Sequence, residues 1–343
     1  MNVRRIPSAR MSVSPPASLA LALAVSIAVW GGFLAAGSGP IAAQEWPAKP
    51  IRIVVPYQPG GIIDAAARIV GPKLTEAWGQ QIIIDNKPGG NAIIGMNLVA
   101  KAPGDGYTWV MATLGDFTVN PTMIKDIPYS IEKDFAATAF FTSIPGVFAV
   151  HAGTPYQSIA DVVADAKKQP GKLSYATPGN GAINHVSMEA FALNAGIKLQ
   201  HIPYKGGAPA TTAVAAGDVP LGFLTLTAAI PFIRSGKVRV LAAGTPKRLE
   251  SNPQWPTLAE LGLLQFDGSN WVGMMGPKTT PSAIVARMNA EVNKALAMPD
   301  VIERLGATGG TPVPMSPADF EKRVKAETEA FKDVVEKAKI EAN

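Results

Sequence analysis

Residues 51–70, IRIVVPYQPGGIIDAAARIV, read as a buried strand, a glycine turn and a helix start in twenty residues. Ile51, Ile53, Val54 and Val55 form a β-branched run of the kind found inside a parallel sheet covered on both faces. Pro56 ends the run, and Pro59-Gly60-Gly61 lets the backbone turn sharply. From Ile62 the apolar spacing is helical, with Asp64 in the first turn. Such a junction points unpaired N–H groups and the positive end of a helix dipole at one spot beyond the sheet, where an anion is favoured. The plainer reading is a tight strand-to-helix connection with no ligand.

A second copy shifts the balance. Leu173 to Thr177 is another short strand, Pro178-Gly179-Asn180-Gly181 another glycine turn, and Asn184 to Asn194 a helix with Val186, Phe191 and Leu193 as its apolar positions. Two anion-friendly loops about 120 residues apart suggest two lobes facing one cleft.

The chain of 343 residues is 47% apolar and 17% charged, enough for two globular domains and too apolar for disorder. With no cysteine it has no disulfide, thiolate metal site, cysteine nucleophile or lipobox. The formal charge of +5 includes Arg4, Arg5 and Arg10 of an N-terminal segment without Lys, Asp or Glu, which leaves +2 for the rest. That balance gives no electrostatic footprint for nucleic acid. The basic start, the apolar run Ala17 to Ala36 and the small residues up to Ala42-Ala43 read as a secretory signal over residues 1–43, cleaved before Gln44. A membrane anchor is the competing reading, and Pro40 with the small residues favours cleavage.

Further strand-turn-helix units follow. Gln81 to Asp85 is a strand, Lys87 to Asn91 a turn, and Tyr107 to Ala112 a third strand with Thr113 at its carboxyl end, where open α/β sheets hold ligands. Gly71-Pro72 predicts a kink or restart in the first helix. Pro145-Gly146 is the expected first passage between lobes, and Leu264 to Asn270 the return. Between them, Ile159 to Lys168 is an amphipathic helix, and strands Leu199–Ile202, Val219–Leu224 and Val238–Ala243 alternate with helices Ala210–Ala216 and Ala228–Ser235. Trp271 to Met275 should rejoin the first sheet, before helices Pro281–Met298 and Ala318–Lys339. The fold class is α/β, two-lobed, each lobe a mostly parallel sheet flanked by helices. The lobes are residues 44–144 with 266–343, and residues 145–265.

Enzyme signatures are mostly absent: there is no G-x-S-x-G, H-E-x-x-H or G-x-x-x-x-G-K-[ST]. Gly179-x-Gly181-x-x-Asn184 lacks the third glycine of a dinucleotide fingerprint. His185 and Glu189 have helical spacing but no third metal ligand, so His185 is read as hydrogen-bonding the loop below it. Asp64 is read first as serving the helix dipole and N–H groups, then as a ligand contact. Trp271 faces either cleft or core. Lys205 is read as a solvated turn lysine before an anion-steering one.

Several motifs together resemble the Bug-type extracytoplasmic solute-binding proteins of tripartite tricarboxylate transporters, from residue 46 to the C-terminus. They are Val55-Pro56-Tyr57-Gln58-Pro59-Gly60-Gly61-Ile62-Ile63-Asp64, Asp105-Gly106-Tyr107-Thr108, Asn120-Pro121, Gly171-Lys172-Leu173-Ser174-Tyr175-Ala176, Gly179-Asn180-Gly181 through His185, and Pro203-Tyr204-Lys205-Gly206 with Pro209-Ala210. The resemblance implies a periplasmic Venus-flytrap receptor, a monomer without cofactor or metal, that captures a small carboxylate and delivers it to membrane permease subunits. It implies a carboxylate held, partly through water, at Pro59, Gly60, Gly61, Ile63 and Asp64. From the other lobe, Thr177, Gly179, Asn180, Gly181, Asn184 and His185 close over it. Thr113, Leu224, Thr225 and Trp271 complete the expected site.

The sequence departs from the family pattern in ways that bear on the ligand. Ala182, Ile183 and Asn184 stand where Ser or Thr is frequent, Leu224-Thr225 where Asp-Asn is, Leu114 where Ser is, and Asp116 where Thr is. The lost acid and hydroxyls suggest a carboxylate with an apolar or aromatic remainder, not an amino acid. A module that presents its ligand to a sensor kinase, or an exported enzyme, are the other readings, and no nucleophile with an adjacent base is visible. Replacing Gly61 with Val is expected to abolish binding by intruding on the turn.

Overall fold

Strand β1 (Ile51–Val55) lies between β2 (Ile82–Asn86) and β3 (Thr108–Thr113) and runs parallel to both. Its four β-branched residues Ile51, Ile53, Val54 and Val55 are all buried, as a strand covered on both faces requires. The structure is a computed structural model and describes residues 46–340; the leader expected over residues 1–43 lies outside the described residues.

The first sheet has six strands. On the far side of β3, β10 (Asn270–Pro277) enters antiparallel and separates it from β4 (Phe135–Ile144), with β11 (Thr311–Pro312) at the edge. The second sheet has the order β7-β6-β8-β5-β9, built from β5 (Gly146–His151), β6 (Ser174–Thr177), β7 (Gln200–Pro203), β8 (Leu221–Thr225) and β9 (Val238–Ala243). Strand β6 is parallel to β7 and β8, and β5 is antiparallel to β8 and β9. Each sheet is therefore mixed. In each sheet a reversed strand, β10 or β5, stands between strands that run the same way as each other, and the short edge strand β11 is reversed as well.

Pro145 alone separates β4 from β5, so the chain steps from one sheet to the other there. It returns between β9 and β10. Gly244 N–H donates to Gly146 O at 2.8 Å and Gly268 N–H to Gly244 O at 2.9 Å, which ties the two passages together.

Most elements match the periodic reading within a residue or two. The helix Ile159–Lys168 begins where a capping box of Ser158 and Asp161 sets it. Four differences stand out. The helix Ile62–Trp78 runs through Pro72 without a restart, because buried Gly71 and Leu74 keep that turn packed on the sheet. Strand β4 is ten residues long, although its Ala- and Thr-rich sequence gives little alternation. A π-helical turn, Gly115–Val119, precedes the short helix at Asn120. Leu193, expected on the packed face of its helix, is 42% exposed.

Candidate functional site

A cleft of about 690 Å³ opens between the carboxyl ends of the two sheets. From the first sheet it takes Tyr57 after β1, Asn91 in the glycine turn after β2, Thr113 at the end of β3, and Gly115, Asp116, Asn120 and Met123 beyond it. From the second sheet it takes Pro178 to Asn184 after β6, Gly207 after β7 and Thr225 after β8, with Asn270 at the start of β10. Ligands of α/β sheets bind beyond strand carboxyl ends, and this cleft is built that way from both sides.

Three helices of the second half start at the cleft: Ile183–Ala195, Gly207–Ala216 and Leu226–Arg234. The N–H groups of a helix's first turn have no acceptor inside that helix, so helix starts favour negative charge. Here the N–H groups of Ile183 and Asn184 head the first of these helices. Glycine shapes the approach. Gly179 and Gly181 have φ of +154° and +69°, and a Cβ at Gly181 would meet Met123 Sδ at 2.7 Å across the cleft.

Beneath this turn lies a buried polar stack. His185 Nδ1 accepts from Gly181 N–H at 3.2 Å, and its ring stacks on His201 at 3.7 Å between centroids. His201 Nε2 meets Thr177 Oγ1 at 2.6 Å, and Tyr175 hydrogen-bonds Glu189 beside them. Burial, and for His185 the neighbouring His201 as well, holds His185 down to about 3; burial holds His201 down to about 4. Both values lie below the ordinary 6.5, so these two imidazoles bind fewer protons in the folded chain than in the unfolded one. Stability from this stack is complete above pH 6.5 and drains as pH falls toward the folded values. The loss is at most about 1.4 kcal/mol per pH unit for His185, and less for His201, where water screens. Measured as urea midpoints between pH 6.5 and 4.5, the destabilisation on acidification should be smaller in His201→Gln than in wild type; an unchanged slope in the variant would remove His201 as a cause.

The other side of the cleft is organised by Asp116, which is 1% exposed. Its Oδ1 accepts from Tyr57 Oη–H at 2.6 Å and, at the limit of 3.5 Å, from Asn120 Nδ2–H. Its Oδ2 accepts from Thr113 N–H and Thr113 Oγ1–H, both at 2.8 Å. Burial pushes the Asp116 carboxyl up, and these donors oppose the push; the Tyr57 hydroxyl is raised by burial and by Asp116. Among the described residues that line the cleft, none is Lys, Arg or His.

The structure thus brings Thr113, Gly179, Asn180, Gly181, Asn184 and Thr225 of the expected site together. Thr177 and His185 support the second turn from behind. The first glycine turn, Pro59, Gly60 and Gly61, is exposed and is not part of the cleft lining. Its anion position is filled from within, because Asp64 accepts from Gly60 N–H at 3.0 Å, Arg68 Nε–H at 3.0 Å and Asn86 Nδ2–H at 3.1 Å. The Arg68 contact leads in holding the Asp64 carboxyl below its usual range. The helix-serving reading of Asp64 is the one the geometry displays.

The steric argument for Gly61→Val does not hold, since Gly61 has φ −77° and a Cβ there meets nothing within 4 Å; the left-handed residue is Gly60, at +93°. Ile63 and Leu224 are core residues. Trp271 faces the core as well: it is fully buried among Phe117, Phe140 and Phe320, and its Nε1–H donates to Glu327 at 2.7 Å. Tyr57, Asn91, Asp116 and Asn120 were not among the expected site residues. The turn at Lys87–Asn91 and the Asn120-Pro121 pair were visible signals. The position of Asp116 depends on the π-helical turn, which no periodicity announces.

No helix among the described residues is long and apolar enough to cross a membrane. The profile of a family described as "Tripartite tricarboxylate transporter family receptor" matches residues 66–340. Protein BugT of Bordetella pertussis is 32% identical over 312 residues, covering 90% of this chain and 96% of that protein. Among solved structures, Rhodopseudomonas palustris Rpa4515 with adipate is similar at 32% identity and TM-score 0.73, over 87% of this chain and 99% of that one. MatC from the same organism, with bound malate, is similar at 28% identity and TM-score 0.69, over 84% and 100%. On this profile match and this relative, the chain belongs to the tripartite tricarboxylate transporter receptor family, a family of solute-binding receptors and not of enzymes.

Proposed function

We propose that the protein is a periplasmic receptor that holds a small carboxylate in the cleft between its sheets and delivers it to membrane permease subunits. The observation that carries this reading is the convergence of three helix N-termini on a cleft with no cationic side chain in its lining. An anion there is held by backbone N–H groups and helix dipoles. The neighbours with adipate and malate show that relatives with this architecture hold small carboxylates.

In this reading residues 44–144 and 266–343 form one lobe and residues 145–265 the other, and the paired passages at Pro145 and Gly268 are the hinge. Closure brings Thr113 on one side against Gly179, Asn180, Gly181, Asn184 and Thr225 on the other. Pro59, Gly60, Gly61 and Asp64 stand outside the lining, and Ile63, Leu224 and Trp271 are core residues. Mass spectrometry of small molecules released from protein purified from the periplasm should find a carboxylate, and calorimetry with that acid should return one site per chain. Uptake of the labelled acid should fall in cells lacking the protein. Protein that carries no acid and takes up none in titration would end this reading.

A further inference from the structure

Asp116 sets a buried carboxyl group, which accepts hydrogen bonds from the residues around it, into the wall of a cleft that is otherwise arranged for anions. It consumes the local donors: Tyr57 Oη–H, Thr113 N–H, Thr113 Oγ1–H and, more weakly, Asn120 Nδ2–H. With Thr at that position those groups would be available to a guest. With Asp they are turned inward onto its carboxyl group, whose hydrogen-bond partners among the described residues are neutral donors and include no Lys or Arg. The opposite wall is different: the turn Pro178–Asn184 and the helix starts at Ile183 and Gly207 present a positive dipole end.

We propose that Asp116 makes the cleft selective for acids with a single negative charge, whose carboxylate lies against the Pro178–Asn184 turn and whose far end, toward Asp116, is uncharged. The inference rests on the reading above that the cleft holds a small carboxylate, and it narrows the class. A dicarboxylate long enough to span the cleft would place its second charge against Asp116. That second charge would lose its water against a low-dielectric wall whose donors Asp116 already engages, and it would be repelled wherever Asp116 is ionised. Selectivity here comes from a repulsive element, as discrimination between similar ligands often does.

The test is calorimetric titration at pH 8 with pairs of equal chain length: butyrate against succinate, and hexanoate against adipate. Wild-type protein should bind the better monoacid at least tenfold more tightly than its paired diacid. Asp116→Asn, which keeps the shape and removes the charge, should reduce that ratio severalfold by improving the diacid. Asp116→Thr, which also frees the donors, should reduce it further, with circular dichroism melts confirming that both variants are folded. Diacids bound as tightly as monoacids by the wild type overturn this inference and leave the carboxylate receptor standing. A ratio unchanged in both folded variants overturns it equally. Failure to bind any of the four acids, or any acid that copurifies, removes the receptor reading itself and the inference with it.

Discussion

Replacing Phe223 with alanine should lower the free energy of unfolding by about 3–5 kcal/mol, the range for truncating a buried aromatic side chain whose surroundings cannot collapse. The surroundings here are unusually unable to collapse. Phe223 is fully buried in β8, and three glycines from separate segments, Gly146, Gly244 and Gly268, abut its ring. A Cβ at Gly146 or Gly244 would overlap the ring, and one at Gly268 would come within 2.9 Å. None of the three has a left-handed φ, so glycine is required for space and not for backbone conformation.

Those glycines are also the residues that tie the two inter-sheet passages together, so the ring fills the knot itself. The reciprocal change, Gly244→Val, should cost about 1–3 kcal/mol through overpacking at the same contact. Because Phe223 O accepts from Asn184 Nδ2–H at 2.8 Å, Phe223→Ala should also weaken binding in the cleft more than its distance from the ligand would suggest. Urea midpoints at constant m-value measure the first effect. A loss below about 1 kcal/mol would show that the knot repacks around the void.

How much of this was legible beforehand depends on what kind of signal each element carries. Strand β1 follows from its β-branched run and the helix Ile183–Ala195 from the glycine turn before it and its helical apolar spacing, and both appear within a residue or two of the expected bounds. Strand β4 does not, because FAATAFFTSI owes its strand state to the sheet around it and not to its own pattern. The site divides along the same line. The turn Pro178–Asn184 announces itself by its glycines and stands in the cleft.

The equally conspicuous turn Pro59–Gly61 does not line the cleft, for a reason written four residues further on. Asp64 satisfies the Gly60 N–H, so the anion position that the glycines create is already taken. A sequence displays an anion-friendly turn and a first-turn acid separately. Whether they cancel is decided by side-chain geometry. Asp116 shows the opposite failure: its residue type was noticed as a lost hydroxyl, and only the folded neighbourhood of Tyr57, Thr113 and Asn120 reveals a buried carboxyl that engages their donors.

A second large effect is expected at Arg323, on the C-terminal helix Pro317–Ala338. Its Nε–H donates to Glu327 Oε1 at 2.8 Å, its Nη2–H to Asp267 Oδ2 at 3.0 Å, and its guanidinium lies 4.9 Å above the Phe140 ring. Glu327 is 7% exposed and also accepts from Trp271 Nε1–H. Arg323→Met keeps the stem and deletes the charge, leaving Glu327 and Asp267 as facing acids. The loss should be about 2–3 kcal/mol, the range for charged hydrogen bonds left unmade, given that Arg323 itself is partly exposed.

Its pH dependence identifies the cause. Burial pushes the Glu327 carboxyl up from 4.5 to about 7 against the pull of Arg323. A carboxyl raised on folding binds its proton more tightly in the native state, so the stability it contributes is full below pH 4.5 and is lost as pH rises through 7. Without Arg323 the raised value climbs further. The deficit of Arg323→Met relative to wild type should therefore be small at pH 5, where Glu327 is protonated, and largest at pH 8. Adding Glu327→Gln to Arg323→Met should restore much of the pH 8 loss, because the amide can still accept from Trp271. The histidine stack titrates in the opposite sense and is common to all these proteins, so it cancels from the differences. Urea midpoints at the two pH values are sufficient, and a deficit equal at pH 5 and pH 8 would place the cost in packing against Phe140 instead of in the buried charge.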